Sequence, residues 1–116
     1  MRYFSLDEFK CPCCDGLPSS GMSTRLLDLL DCLRCKVGVP VIVNSGYRCP
    51  SHNRNVGGVA DSQHLLGTAA DISASGITVD QLSDIAEVLG ADGIGKYYRQ
   101  GFVHVDVRGY YARWEE

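Results

Sequence analysis

The segment 101–109, GFVHVDVRG, alternates valine with larger or polar residues. Successive side chains of a strand point to opposite faces, so Val103, Val105 and Val107 share one face while Phe102, His104 and Asp106 share the other. A row of valines has to be covered by a core. On the opposite face a histidine and a carboxylate are expensive to bury without partners. The chain therefore needs a sheet with one apolar and one polar face, and a partner on the polar face for His104 and Asp106. A metal ion is one such partner.

The flanking sequence supplies the layers for that sheet. Ser5 and Glu8 form a capping box that predicts a short helix over 5–10 with Leu6 and Phe9 turned inward. CPCCDGLPSSG, residues 11–21, reads as an irregular connection. From Met22 to Val37 the leucines at 26, 29, 30 and 33 recur at helical spacing, and Gly38 with Pro40 supplies the stop. VPVIVN, residues 39–44, reads as a buried central strand running into the long loop SGYRCPSHNRNVGG, and 69–73 as a short strand. Thr78 and Gln81 make a second capping box that opens the helix DQLSDIAEVLG, whose apolar face is Leu82, Ile85, Ala86 and Leu89. GIGKYY and GFVHVDVRG then form an antiparallel hairpin. The expected fold is α+β, a small, mainly antiparallel sheet packed against helices, with 1–116 as a single domain.

Composition narrows the function. With 116 residues, 45% apolar, 22% charged and a formal charge of -3, the chain is globular in type and carries no basic stripe for nucleic acid. No apolar run approaches the length of a membrane span, and the start MRYFSLDEFK has no apolar stretch that would read as an export signal. Neither nucleic acid nor membrane is expected as a partner, and a monomer synthesised in the cytoplasm is.

A second segment, Ser62 to Asp71, reads SQHLLGTAAD, with His64 and Asp71 seven residues apart in a loop entering a strand. Gly67 can turn the backbone sharply there, and Ala69 and Ala70 permit close approach to another layer. Zinc favours imidazole nitrogen and carboxylate oxygen, and a catalytic site usually has three protein ligands and one open position. His64, Asp71 and His104 supply such a set. His52, in the loop PSHNRN, reads as a residue that orders the loop or lines a cleft.

The pattern Ser62-x-His64-x-x-Gly67-x-Ala69-x-Asp71, the later His104, and the upstream Ser45-Gly46-Tyr47-Arg48 resemble the zinc D-alanyl-D-alanine carboxypeptidases, dipeptidases and murein endopeptidases, and the hedgehog signalling domain in fold and ligands. The likeness runs from YFSLDEF through HVDVRG to the Ala112-Arg113-Trp114 tail. It implies one catalytic Zn2+ on His64, Asp71 and His104, with peptidoglycan peptides as substrate. It also implies that Arg48 stabilises the substrate carbonyl or carboxylate, a role suited to its fixed charged fork. Ser62 is expected to hydrogen-bond substrate and Tyr47 to wall the cleft. With no export signal, a chain of this kind would reach the wall after release, as a phage-type lysin does, or trim muropeptides in the cytoplasm.

The general base of these relatives does not carry over. Many place an acidic residue three positions before the last zinc histidine, others a histidine two before it; here those positions hold Gly101 and Phe102. Asp106, on the strand face of His104, is the first candidate, with pairing to Arg108 or Arg48 as its structural alternative; Tyr98 is the reserve. A zinc module that binds the wall without cleaving it is the rival from another class.

Six cysteines complete the inventory. Cys11 and Cys14 are spaced C-x-x-C, and so are Cys32 and Cys35, the ligand spacing of a structural zinc site of four thiolates. Reduced thiols buried among the leucines of the main helix, and disulfides involving Cys49, are the alternatives.

Overall fold

Val103 and Val105 are fully buried, as the alternation requires, and the strand that carries them lies at the middle of the sheet. The computed structural model describes residues 3–59 and 62–116. Its strands are β1 (Val41–Ser45), β2 (Ala69–Ala74), β3 (Gly93–Tyr97), β4 (Phe102–Asp106) and β5 (Ala112–Glu115), and its helices α1 (Thr24–Val37), α2 (Pro50–Asn55) and α3 (Val79–Val88). The order across the sheet is β1-β2-β4-β3-β5. Every pairing is antiparallel except that of β5 with β3. This is the α+β architecture that the sequence predicts.

The core forms between one face of the sheet and helices α1 and α3. Ala70, Ile72 and Ala74 of β2, Ile94 of β3, and Val103 and Val105 of β4 pack with Leu26, Leu29, Leu30 and Leu33 of α1 and with Leu82 and Ala86 of α3. Helix α1 begins where Ser23 Oγ accepts from the Leu26 N–H and ends at Gly38, whose φ of 76° only glycine adopts freely. Helix α3 has the capping box of Thr78 and Gln81. Burying leucines at about 2 kcal/mol each drives α1 onto the sheet far more than its helix propensity does.

Several expectations need correction. Residues 5–10 contain a short 3-10 turn, Leu6–Phe9, in which Phe9 is fully buried but Leu6 is 45% exposed. The strand in 39–44 is an edge strand, not a central one, and its Ile42 is 54% exposed. The long loop after it contains α2, with Pro50 in its first turn and Cys49 as N-cap. Cys32 and Cys35 are exposed on α1, so they are not core thiols. Strand β5 had no clear sequence signature.

A bulge between Val43 and Ser45 breaks the β1–β2 register, so that Asn44 and Ser45 both border the polar side of the sheet. Just beyond it the chain presses against Phe9: the Tyr47 N–H donates to the Phe9 carbonyl at 2.8 Å, and a β-carbon on Gly46 would lie 2.7 Å from Phe9 Cα. Gly46→Ala should therefore push two backbones apart and lower the unfolding free energy by about 1–3 kcal/mol in a denaturant titration.

Candidate metal centre and its cleft

Strand register places the first two groups. Asp71 and His104 are directly opposed partners of β2 and β4, on the face away from the valines. The third group comes from the turn before β2. Ser62 Oγ accepts from the His64 N–H at 3.2 Å and starts a 3-10 turn, Gln63–Leu66; Gly67, at φ 72°, ends it and feeds the strand. The turn brings His64 over Asp71.

All three side chains are nearly sealed from solvent: His64 is 2%, Asp71 3% and His104 6% exposed. Asp71 Oδ1 lies 3.1 Å from His64 Nε2 and 3.1 Å from His104 Nδ1. Each imidazole is fixed by its other nitrogen. His64 Nδ1 is 2.7 Å from the Gly46 carbonyl oxygen, which can only accept, so this nitrogen carries the hydrogen. His104 Nε2 is 2.7 Å from Asp106 Oδ2 and donates to it. The nitrogens left over, His64 Nε2 and His104 Nδ1, both face Asp71, and the three candidate ligand atoms lie within 4.8 Å of one another. Two neutral imidazoles and one carboxylate, each oriented from behind, fit zinc.

With a proton in place of a metal on the nitrogens that face it, Asp71 is pushed up by burial, but the hydrogen bonds from His104 and His64 outweigh this and hold it well below the usual carboxylate range. Burial likewise works against a charged His104, but Asp106 and Asp71 raise its pKa above 6.5. Crowding imidazoles around one carboxylate oxygen calls for a positive charge among them, and a proton or a metal cation can supply it.

Arg48 enters from the loop after β1. Its Nη2 donates to Asp71 Oδ2 at 3.1 Å, its Nε to Ser45 Oγ at 3.2 Å and its Nη1 to Asn53 Oδ1 at 3.3 Å. Arg48, Ser62, His52 and the three candidate ligands border one cleft of about 610 Å3.

The other sequence candidates end up elsewhere. Asp106 is fully buried and does not face the cleft. It accepts from His104 Nε2 and, at 3.0 and 2.7 Å, from Nε and Nη2 of Arg108. Burial pushes its carboxyl up, but His104 and Arg108 outweigh that and hold it well below the usual range. A group so occupied orients His104 and is not placed to take a proton from substrate. Tyr98 points away because strand alternation carries it to the other face, where its hydroxyl donates to Asp80 Oδ1 at 2.5 Å. Its neighbour Tyr97 borders the cleft instead. Tyr47 packs against the hydrophobic core and lies outside the cleft lining.

Strand β5 is not announced by the sequence, and it carries the aromatic wall of the cleft. Trp114 lies over the His104 ring at 5.0 Å between centroids and donates from Nε1 to the Tyr97 hydroxyl at 2.9 Å, and Glu116 brings a carboxylate to the rim. Glycines on the cleft face of β3 make the space. A β-carbon on Gly95 would fall 2.5 Å from the Trp114 ring, and one on Gly93 would lie 2.2 Å from Asp106 Oδ2. The sequence signal was Gly-Ile-Gly, two glycines on one strand face.

The cysteines converge in a different set from the one their spacing predicts. Cys11 and Cys14 cluster with Cys49, their sulfurs within 4.8 Å of one another, whereas Cys32 and Cys35 belong to no such group among the described residues. They sit on the exposed side of α1, turned away from the leucine stripe.

Comparison with known proteins places this geometry. Residues 2–106 match the family described as peptidase M15. Over 72 residues the chain is 36% identical to the peptidoglycan L,D-endopeptidase MepK of Escherichia coli (strain K12), covering 58% of this chain and 40% of that protein. It is 38% identical over 66 residues to the probable peptidoglycan L,D-endopeptidase MepK of Haemophilus influenzae, covering 53% and 36%. It is 49% identical over 35 residues to the zinc D-Ala-D-Ala carboxypeptidase of Streptomyces albus G, covering 30% and 14%. The matched segment thus spans 40% or less of each of these relatives.

Gly93→Ala tests how His104 is held. The new methyl would displace the Asp106 carboxylate from its buried pairing with Arg108 and His104, at a cost of about 3 kcal/mol or more, read as a lower unfolding midpoint.

Proposed function

The chain belongs to the peptidase M15 family, and from that premise we propose that it is a zinc-dependent peptidoglycan peptidase, cutting peptide bonds beside D-amino acids in stem peptides or cross-links. The observation that carries the proposal is the convergence of His64 Nε2, His104 Nδ1 and Asp71 Oδ1 at the cleft, with the far nitrogen of each imidazole held by Gly46 or Asp106. Zinc held there would act as a Lewis acid toward a peptide carbonyl and would activate water. The names of the relatives point to the same substrate class, peptidoglycan peptides. Delivery to the wall at lysis, as for a phage lysin, is the route we favour.

The chain's own groups fall into roles around that centre. Arg48 is held by Ser45, Asn53 and Asp71. It presents a fixed charged fork to a substrate carboxylate or to the oxygen that gains charge. Ser62, Tyr97 and Trp114 border the cleft and would fix the peptide. The carboxylates bordering it are Asp71 and Glu116. Since Asp71 is committed to the centre, Glu116 is the group we assign to proton transfer, in place of Asp106 and Tyr98.

Purified protein incubated with muropeptides, with and without a zinc chelator, should release shortened stem peptides or free D-amino acids only when zinc is present, as read by mass spectrometry; His64→Ala should release none. Zinc-loaded protein that sediments with insoluble peptidoglycan and releases nothing would replace the peptidase with a wall-binding module. A second comparison separates the two carboxylates. Asp106→Asn should weaken zinc about 10–100-fold in a competition titration while kcat recovers at saturating zinc. Glu116→Gln should keep its zinc and lose about 100-fold or more in kcat. The reverse pattern would return proton transfer to Asp106.

A further inference from the structure

The second group of converging ligands lies outside the cleft's chemistry. Cys11, Cys14 and Cys49 bring their sulfurs within 4.8 Å of one another, and the Cys13 thiol is within hydrogen-bond reach of Cys49. The segment that carries Cys11, Cys13 and Cys14 is folded tightly. The Asp15 N–H donates to the Cys11 carbonyl at 2.7 Å, the Cys11 N–H to the Gly16 carbonyl at 2.9 Å, and Asp15 takes the left-handed φ of 56°.

The N–H groups of this turn point at sulfur. Cys11 Sγ accepts from the Cys49 N–H at 3.4 Å and from the N–H groups of Cys13 and Cys14. Cys14 accepts from Gly16, and Cys49 Sγ from the His52 N–H at 3.4 Å. Donors aimed at sulfur favour the thiolate, the form that binds metal.

We propose that Cys11, Cys14 and Cys49, with Cys13 in the fourth position, bind a structural zinc ion separate from the His64, Asp71 and His104 centre. At a Zn–S distance of about 2.3 Å the sulfurs of a tetrahedron stand about 3.8 Å apart, so separations of up to 4.8 Å need only a small contraction. The number of converging sulfurs favours a metal over a disulfide: one disulfide joins a single pair and leaves the others out, whereas a dication accepts all of them. The two ligand sets share no residue, so the inference stands apart from the peptidase reading.

The ion would have a mechanical role. Cys49 directly follows Arg48, whose guanidinium reaches Asp71, and Cys11 lies two residues beyond the buried Phe9. A zinc ion bridging them clips the N-terminal segment to the loop that aims Arg48. Cys32 and Cys35, exposed on α1, are internal controls.

The test uses the whole chain, purified under reducing conditions with zinc. Iodoacetamide followed by mass spectrometry should modify Cys32 and Cys35 at once and leave Cys11, Cys13, Cys14 and Cys49 protected until a chelator is added, after which all six react. In His64→Ala one equivalent of zinc should remain, and its replacement by Co2+ should give strong sulfur-to-cobalt charge-transfer absorption in the near ultraviolet. Cys14→Ser and Cys49→Ser should each lose that absorption. If either variant fails to fold, the footprint and the His64→Ala cobalt spectrum decide alone. Equal alkylation of all six cysteines in the zinc-loaded chain, a disulfide mass within the cluster, or cobalt without the sulfur band would overturn the proposal. Free alkylation of Cys13 alone would overturn its place as the fourth ligand.

Discussion

Asp71 is 3% exposed, and its oxygens accept from Arg48 on one side and face two imidazoles on the other, each at 3.1 Å. A carboxylate taken that far from water is tolerable only when charge and hydrogen bonds surround it. The rest of the polar face follows from meeting that need. Opposed pairing in β2 and β4 brings His104, the Ser62–Gly67 turn brings His64, and the bulge at the end of β1 redirects the chain so that Arg48 closes the ring. Because Asp71 joins groups from three separate stretches of sequence, the hydrophobic core and the polar centre depend on each other: the valines fix the strand register, and the register fixes the ligands.

Behind that ring stands a second layer of equal consequence. Asp106 and Arg108 pair on the same face of the sheet and hold His104 by its far nitrogen, while the Gly46 carbonyl does the same for His64. An imidazole held this way offers one defined lone pair, and the ring cannot rotate to satisfy another partner. The same carbonyl comes from a residue whose lack of a side chain lets Phe9 pack against the loop, so the N-terminal segment takes part in aiming a residue of the centre.

Much of this was legible because it is local. His64, Asp71 and His104 stand in short segments whose turn and strand character the residues announce, and strand parity gave the faces of β4 correctly. What failed depended on contacts between distant segments. Asp106 shares the face of His104, but only packing shows that Arg108 folds back over it and that β3 covers it. Tyr98 failed on parity, since the adjacent Tyr97 is the one that alternation turns to the cleft. Strand β5 is four residues long and pairs in parallel, too short for periodicity to reveal. For the cysteines, spacing suggested a partnership that the fold does not assemble among the described residues: Cys32 and Cys35 lie on the exposed side of α1, and Cys49, which does join Cys11 and Cys14, is distant in sequence.

The glycines of β3 leave room on the polar face of the sheet, which Trp114 of β5 fills at Gly95 and Asp106 of β4 at Gly93. Trp114 occupies the volume a side chain at position 95 would have taken. The bulk is thus lent by an edge strand that carries none of the candidate ligands, and it meets the centre at one place, where the Trp114 ring rests against His104. The depth of the groove and the position of its centre sit on separate pieces of the chain, joined through that single ring contact.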